Sequence, residues 1–173
     1  MLRVDLRALD EGPVETAGVV PAADAAFGDL EFDLAGPVQV SGRIMESGPG
    51  RYFWHGRLRT TVRTACRRCL TPVTIGVDQD VQALFTAGAD EGEDPSVYPL
   101  PARATELDLR PVIREELILA VPAYTVCRED CRGICPRCGV DLNTGSCSCR
   151  PERDPRWAAL EGLDVQRSDD DTR

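Results

Sequence analysis

The chain contains no lysine: all twenty of its basic residues are arginine. It contains a single histidine, His55. No apolar run approaches the roughly 20 residues needed to span a bilayer. The opening residues, MLRVDLRALDEG, lack the apolar stretch of a secretory leader. There is no Ser-centred elbow, no phosphate loop and no dinucleotide fingerprint. These absences remove the common enzyme classes. His55, inside YFWHG, has no visible partner for acid–base work and reads as a packing or surface residue. Glu115 and Glu116 are adjacent on a helical pattern, so they point about 100° apart and do not form a carboxylate dyad. The missing lysine is what a GC-rich genome produces. It also gives every basic side chain the planar fork that suits phosphate. The absence of a leader predicts a cytoplasmic protein, and there thiols stay reduced.

In that compartment eight cysteines read as metal ligands. Five of them fall between residues 131 and 149, in CRGICPRCGVDLNTGSCSC, a stretch with few large apolar residues. Such a segment cannot build a core and needs a staple. Cys66 and Cys69 form one tight pair, CRRC, and Cys135 and Cys138 a second, CPRCG. In the second, Pro136 fixes φ and Gly139 allows the chain to turn beneath the sulfurs. Cys147 and Cys149 form CSC, and Cys127 and Cys131 are four apart. Eight ligands suit two structural zinc ions in closed Cys₄ sites, with no coordination position left for water. The favoured pairing joins Cys135, Cys138, Cys147 and Cys149 in a local site around the turn GVDLNTG. Cys66 and Cys69 then join Cys127 and Cys131, pinning a hairpin tip to the segment that leaves the helix. The rival pairing joins Cys66 and Cys69 to Cys135 and Cys138. A redox reading of CRRC is weaker, because a redox CxxC opens a helix after a strand. This one sits between two strand patterns.

Hydrophobic residues make up 42% of 173, enough for one core and a small satellite. LRVDLRAL alternates like a strand, and DEGPVETAGVVPAADAAFG is turn-rich and reads as loose. From Leu30 the pattern has period two, with Val38, Val40 and Gly42 on one face. YFWHGRLRTTVRTA leads to Cys66. In VTIGVDQDVQALF the residues Val73, Ile75, Val77, Val81, Ala83 and Phe85 alternate inward. Alternating runs between turns predict an antiparallel sheet. Residues 87–101, acidic and rich in Gly and Pro, read as a solvated loop. LDLRPVIREELILAVP predicts a helix capped by Asp108, with Pro111 in its first turn and Pro122 as its stop. Leu109, Val112, Ile113, Leu117 and Ala120 share its buried face. DPRWAALEGL, 154–163, predicts a short helix. The expectation is an α+β protein with an antiparallel β-sheet, one packed helix and a zinc-stapled C-terminal segment. Its parts are residues 1–29 (strand and loose segment), 30–126 (sheet-plus-helix core), 127–163 (cysteine-rich segment and short helix) and 164–173 (frayed tail).

Formal net charge is −9, yet no acidic residue lies between Ser47 and Val77. Arg51, Arg57, Arg59, Arg63, Arg67 and Arg68 all fall there. Arg57, Arg59 and Arg63 share one strand face by period two, and Arg67 and Arg68 extend it onto the CRRC turn. With Tyr52, Phe53 and Trp54 upstream, Arg57, Arg59, Arg63, Arg67 and Arg68 form a candidate nucleic-acid-binding stripe. The plainer reading is a solvated face offsetting anionic thiolate clusters. Net charge would repel free RNA at long range, so contact must be local or run through a protein.

FDLAGPVQVSGRI, LRTTVRTACRRCLTPV, LDLRPVIREELILAVP and CPRCGVDLNTGSCSC…DPRWAAL, in that order, resemble the YceD family over roughly residues 30–163. The CxxCL turn, the helix with its E-E-L core and the cysteine ribbon are specific in combination. The resemblance implies a non-enzymatic ribosome biogenesis factor supporting synthesis, processing or stability of large-subunit (23S-type) ribosomal RNA. It supplies no catalytic residues. The partner would be that RNA or its precursor particle, reached directly or through a ribosomal protein, with no membrane and no small-molecule substrate. The alternatives are a thiol-redox or zinc-responsive regulator, or an adaptor for a ribosomal protein.

Overall fold

A computed structural model describes residues 2–88, 97–150 and 156. The chain forms two compact units, Met1–Cys131 and Arg132–Arg173. The first is α+β. Its strands are β1 (Arg3–Asp5), β2 (Val14–Val20), β3 (Asp33–Leu34), β4 (Val38–Gly48), β5 (Arg51–Ala65), β6 (Pro72–Ala87), β7 (Val97–Leu100) and β8 (Glu106–Asp108), followed by one helix, α1 (Arg110–Ala120). The main sheet runs β2–β4–β5–β6–β7, and β3 pairs with β5 past the point where β4 stops. β1 and β8 form a separate two-stranded ribbon.

The period-two pattern puts one face of this sheet inward. Val38, Val40 and Ile44 of β4, Trp54, Leu58 and Val62 of β5, and Val77, Val81, Ala83 and Phe85 of β6 are buried in one core. α1 contributes Val112, Ile113 and Leu117, and Leu109 precedes it. The opposite face carries Arg43, His55, Arg57, Arg59, Asp78 and Asp80, all exposed, as expected of a sheet with one solvated side. Trp54 organises the core. Its indole is fully buried and its Nε1–H donates to the Thr16 hydroxyl on β2 at 2.9 Å. Two facing glycines, Gly42 and Gly56, make room for the ring. A Cβ on Gly56 would lie 2.2 Å from the Trp54 ring, and one on Gly42 would lie 2.5 Å from the His55 carbonyl oxygen.

The structure corrects several sequence readings. Val14–Val20, read as loose, is the strand β2, paired along its length with β4. Its own pattern is weak, and what holds it is the edge of β4 and the Thr16 contact with Trp54. LRVDLRAL is strand only to Asp5. Leu6–Glu11 then forms a 3₁₀ turn that buries Leu6 and Leu9, three apart and so on one side of the turn. β1 and β2 pair with β8 and β4 within the first unit, which also holds Cys127 and Cys131. Within 87–101, Val97–Leu100 is strand β7, parallel to β6, so the sheet is mixed rather than purely antiparallel. Pro99 fits there because β7 is an edge strand, where a missing N–H breaks no ladder bond. The rest of that acidic stretch, 89–96, lies outside the described residues. So do the expected helix over 154–163, apart from Arg156, and the tail at 164–173.

The helix starts at Arg110, and its cap position is Leu109 rather than Asp108. Asp108 ends β8, and its carboxylate still accepts from the Arg110 backbone N–H at 3.0 Å and from the Arg110 guanidinium. That hydrogen bonding, with Arg3 beside it, outweighs burial and holds the Asp108 carboxyl below the usual range. Glu115 accepts from the Tyr98 hydroxyl at 2.7 Å, tying α1 to β7.

Candidate metal centres and the arginine face

β5 and β6 form a hairpin paired from Arg51–Thr86 down to Ala65–Pro72, and the CRRC turn is its tip. Here the Cys66 N–H donates to the Thr71 carbonyl at 2.9 Å, and the Leu70 N–H donates to the Cys66 carbonyl at 2.9 Å. In the second unit the Cys135 N–H donates to the Val140 carbonyl and the Gly139 N–H to the Cys135 carbonyl, both at 2.9 Å. The two CxxC turns are therefore the same knuckle built twice. In each, the residue after the second cysteine has positive φ: +72° for Gly139 and +62° for Leu70. Glycine adopts this conformation freely. For leucine it is strained by on the order of 1 kcal/mol.

The knuckles gather the cysteines in the favoured pairing. Cys66, Cys69, Cys127 and Cys131 form one group and Cys135, Cys138, Cys147 and Cys149 the other, the sulfurs of each lying within 4.8 Å of one another. Cys66 Sγ is 3.8 Å from Cys131 Sγ, and Cys69 Sγ is 3.6 Å from Cys127 Sγ. A disulfide would need about 2.05 Å, and all eight thiols are free. These groups could coordinate a metal. Burial pushes the Cys66 thiol up, but backbone N–H groups of Cys69, Cys127 and Arg68 outweigh it and bring it down to about 6. In the second group the Cys138 and Arg137 backbone N–H groups bring Cys135 to about 6 as well. Cys127 goes the other way, pushed up to about 12 by burial and by neighbouring thiols. A metal binds thiolates rather than thiols, and the first cysteine of each knuckle is already shifted toward the thiolate.

The second unit has little else to hold it. Among its described residues only Gly133 and Cys135 are buried. The expected turn over GVDLNTG is present: Ile134 bridges Asp141, and the Asp141 carboxylate accepts from the Asn143 backbone N–H at 2.8 Å. The Asn143 side-chain oxygen accepts from the Arg132 N–H at 2.8 Å.

The arginine stripe is real as a line of residues but is largely occupied. Arg57 donates to Asp78 at 2.5 Å and lies 3.5 Å from Asp80, and Arg59 reaches Asp78 at 3.3 Å. These are directly opposed or diagonal pairs across β5 and β6. Arg67 is exposed and reaches the segment that follows α1. Its N–H donates to the Thr125 carbonyl and its Nε to the Ala123 carbonyl. Arg68 donates to the carbonyls of Glu129 and Cys131. These two side chains lash the segment 123–131 to the knuckle, which is why Cys127 and Cys131 reach Cys66 and Cys69. Only Arg63 of the five has no side-chain hydrogen bond or ion pair among the described residues. His55 is exposed on the same face, between Arg43 and Gln82. The CRRC pair closes a strand-to-strand turn and opens no helix, so it lacks the geometry of a redox CxxC. No helix among the described residues is long and apolar enough to cross a membrane.

Fold and site together define an α+β protein with two four-cysteine groups that could coordinate a metal, one inside each compact unit. The chain belongs to the YceD family, whose model, described as large ribosomal RNA subunit accumulation protein YceD, matches residues 54–164. It is 26% identical over 82% of its length to a maize protein named large ribosomal RNA subunit accumulation protein YCED homolog 1, chloroplastic, covering 60% of that protein. It is 27% identical over 75% of its length to the Arabidopsis thaliana protein of the same name, covering 49% of it. An uncharacterized Mycobacterium tuberculosis protein is 34% identical over 55% of this chain and 47% of its own length. The chain thus spans about half to three-fifths of these curated relatives. No solved structure matches it.

Proposed function

We propose that the chain is a cytoplasmic, non-enzymatic ribosome biogenesis factor that supports synthesis, processing or stability of large-subunit ribosomal RNA. Two structural zinc ions hold its shape. The family match carries the functional reading. The zinc reading rests on sulfur spacing. A tetrahedral site with Zn–S bonds of about 2.3 Å puts its sulfurs about 3.8 Å apart, and the first cluster has sulfurs 3.8 and 3.6 Å apart. Cys66, Cys69, Cys127 and Cys131 would hold one ion, and Cys135, Cys138, Cys147 and Cys149 the other. Four thiolates close each site, so the ions supply structure and no open coordination position.

The ion pairs of Arg57 and Arg59 favour the reading in which the ribosomal particle is reached through a protein. Phosphate contact by this face would have to start at Arg63 or displace Asp78 and Asp80. Depleting the protein from its host should lower mature large-subunit RNA at least twofold relative to small-subunit RNA, measured by quantitative RNA sequencing. Restoring the wild-type chain should reverse the loss. An unchanged ratio after complete depletion contradicts the proposal.

A further inference from the structure

A groove of about 830 Å³ opens beside the hairpin tip, lined by Leu30, Phe32, Arg63, Ala65, Leu70 and Pro72 among others. Its origin is a strand that stops early. β3 pairs with β5 only at Asp33–Arg63 and Leu34–Val62, and then Leu30–Phe32 leaves the sheet. In an antiparallel strand, backbone polar groups alternate sides. The Cys66 N–H faces β6, where it meets Thr71, and the Thr61 carbonyl faces the other way, where it accepts from Ala35. Ala65 therefore presents its N–H and C=O to the groove, and neither has a partner among the described residues. A free strand edge is a template for another strand.

The side chains around it have the chemistry to choose one. Leu70 is 62% exposed in its strained positive-φ position, where the other knuckle uses glycine. The backbone cost is accepted to keep an apolar side chain at the mouth. Phe32 and Pro72 extend that apolar wall. Arg63, the one guanidinium of the stripe without a partner among the described residues, stands at the same edge.

We propose that this groove docks an extended peptide segment of a protein partner, which adds a short strand to β5 at Ala65. The segment carries an acidic residue for Arg63 and apolar neighbours for Leu70 and Phe32. A polyanion fits less well. Glu31 and Asp33 line the same groove, and the chain carries a net charge of −9. One carboxylate matches one guanidinium, whereas a run of phosphates would meet these acids. The proposal deepens the accessory-factor reading by naming the chemistry of its partner.

Panning phage-displayed random heptapeptides against the full-length, metal-replete chain tests it. Enriched peptides should share an acidic residue flanked by aliphatic or aromatic ones. In amide NMR spectra they should shift Phe32, Arg63, Ala65 and Leu70. Arg63→Glu should weaken the selected peptides at least tenfold. Leu70→Gly should weaken them several-fold while melting no lower than wild type, because it removes side chain and strain together. No enrichment, or enriched peptides that bind both variants as well as wild type, overturns the proposal. So does a hexauridylate that shifts the same amides and displaces the peptides at equal concentration. Ribosomal RNA levels after depletion report on the broader function separately, so failure of the groove and failure of that function are distinguishable.

Discussion

Replacing Cys135 by serine should unfold residues 132–150 while the sheet of the first unit keeps its protection. The second unit buries almost nothing apolar among its described residues, and its turn rests on a few hydrogen bonds around Asp141 and Asn143. Each such bond contributes about 1 kcal/mol net. A structural zinc site contributes on the order of 10 kcal/mol, so a bound zinc would outweigh everything else the segment has. Losing one of four thiolates should remove most of that. Cys66→Ser acts elsewhere. It should free the segment 123–131 and loosen the hairpin tip, where Arg67 and Arg68 now hold main-chain carbonyls. Exchange should rise first from Ala65 to Val73 and then along β5 and β6. Hydrogen exchange with mass spectrometry reads both outcomes. If Cys135→Ser loosens the sheet as much as Cys66→Ser does, the two sites are not independent.

Gly56→Ala should be the most damaging single methyl in the sheet. The new Cβ would lie 2.2 Å from the Trp54 ring and 2.5 Å from its next atom. The ring cannot retreat easily, because it is fully buried and its Nε1–H is held by Thr16. Either the indole shifts and leaves a buried donor unpaired, or β4 and β5 separate. Overpacking of this kind costs about 1–3 kcal/mol, and a stranded buried hydrogen bond adds about 1–3 kcal/mol. Urea unfolding should show a loss of about 3 kcal/mol or more. Gly76→Ala is the control: nothing lies within 4 Å of a Cβ there, so the loss should stay below about 0.5 kcal/mol.

The core strands were legible because their periodicity is strong and the hairpin turn is marked by cysteines. The helix was legible for the same reason, with prolines at both ends. β2 was not, because its sequence does not alternate cleanly and its place depends on Trp54 reaching across two glycines. β7 was hidden by its acidic, proline-rich surroundings. The cysteine groups were readable because short spacings can close only a few ways. The state of the arginine stripe was readable in principle. With the turn fixed at Cys66–Thr71, counting back along both strands puts Asp80 opposite Arg57 and Asp78 opposite Arg59. The linear stretch from Ser47 to Val77 shows the basic residues and omits the acids that register brings beside them. The roles of Arg67 and Arg68 could not be read this way, since their acceptors are carbonyls some sixty residues away.

Native mass spectrometry of the full-length protein, purified without chelator, tests the central claim most directly. The mass should correspond to two zinc ions per chain, falling to one in Cys135→Ser and to one in Cys66→Ser. A wild-type mass with no metal, together with eight thiols that titrate freely under native conditions, would contradict it.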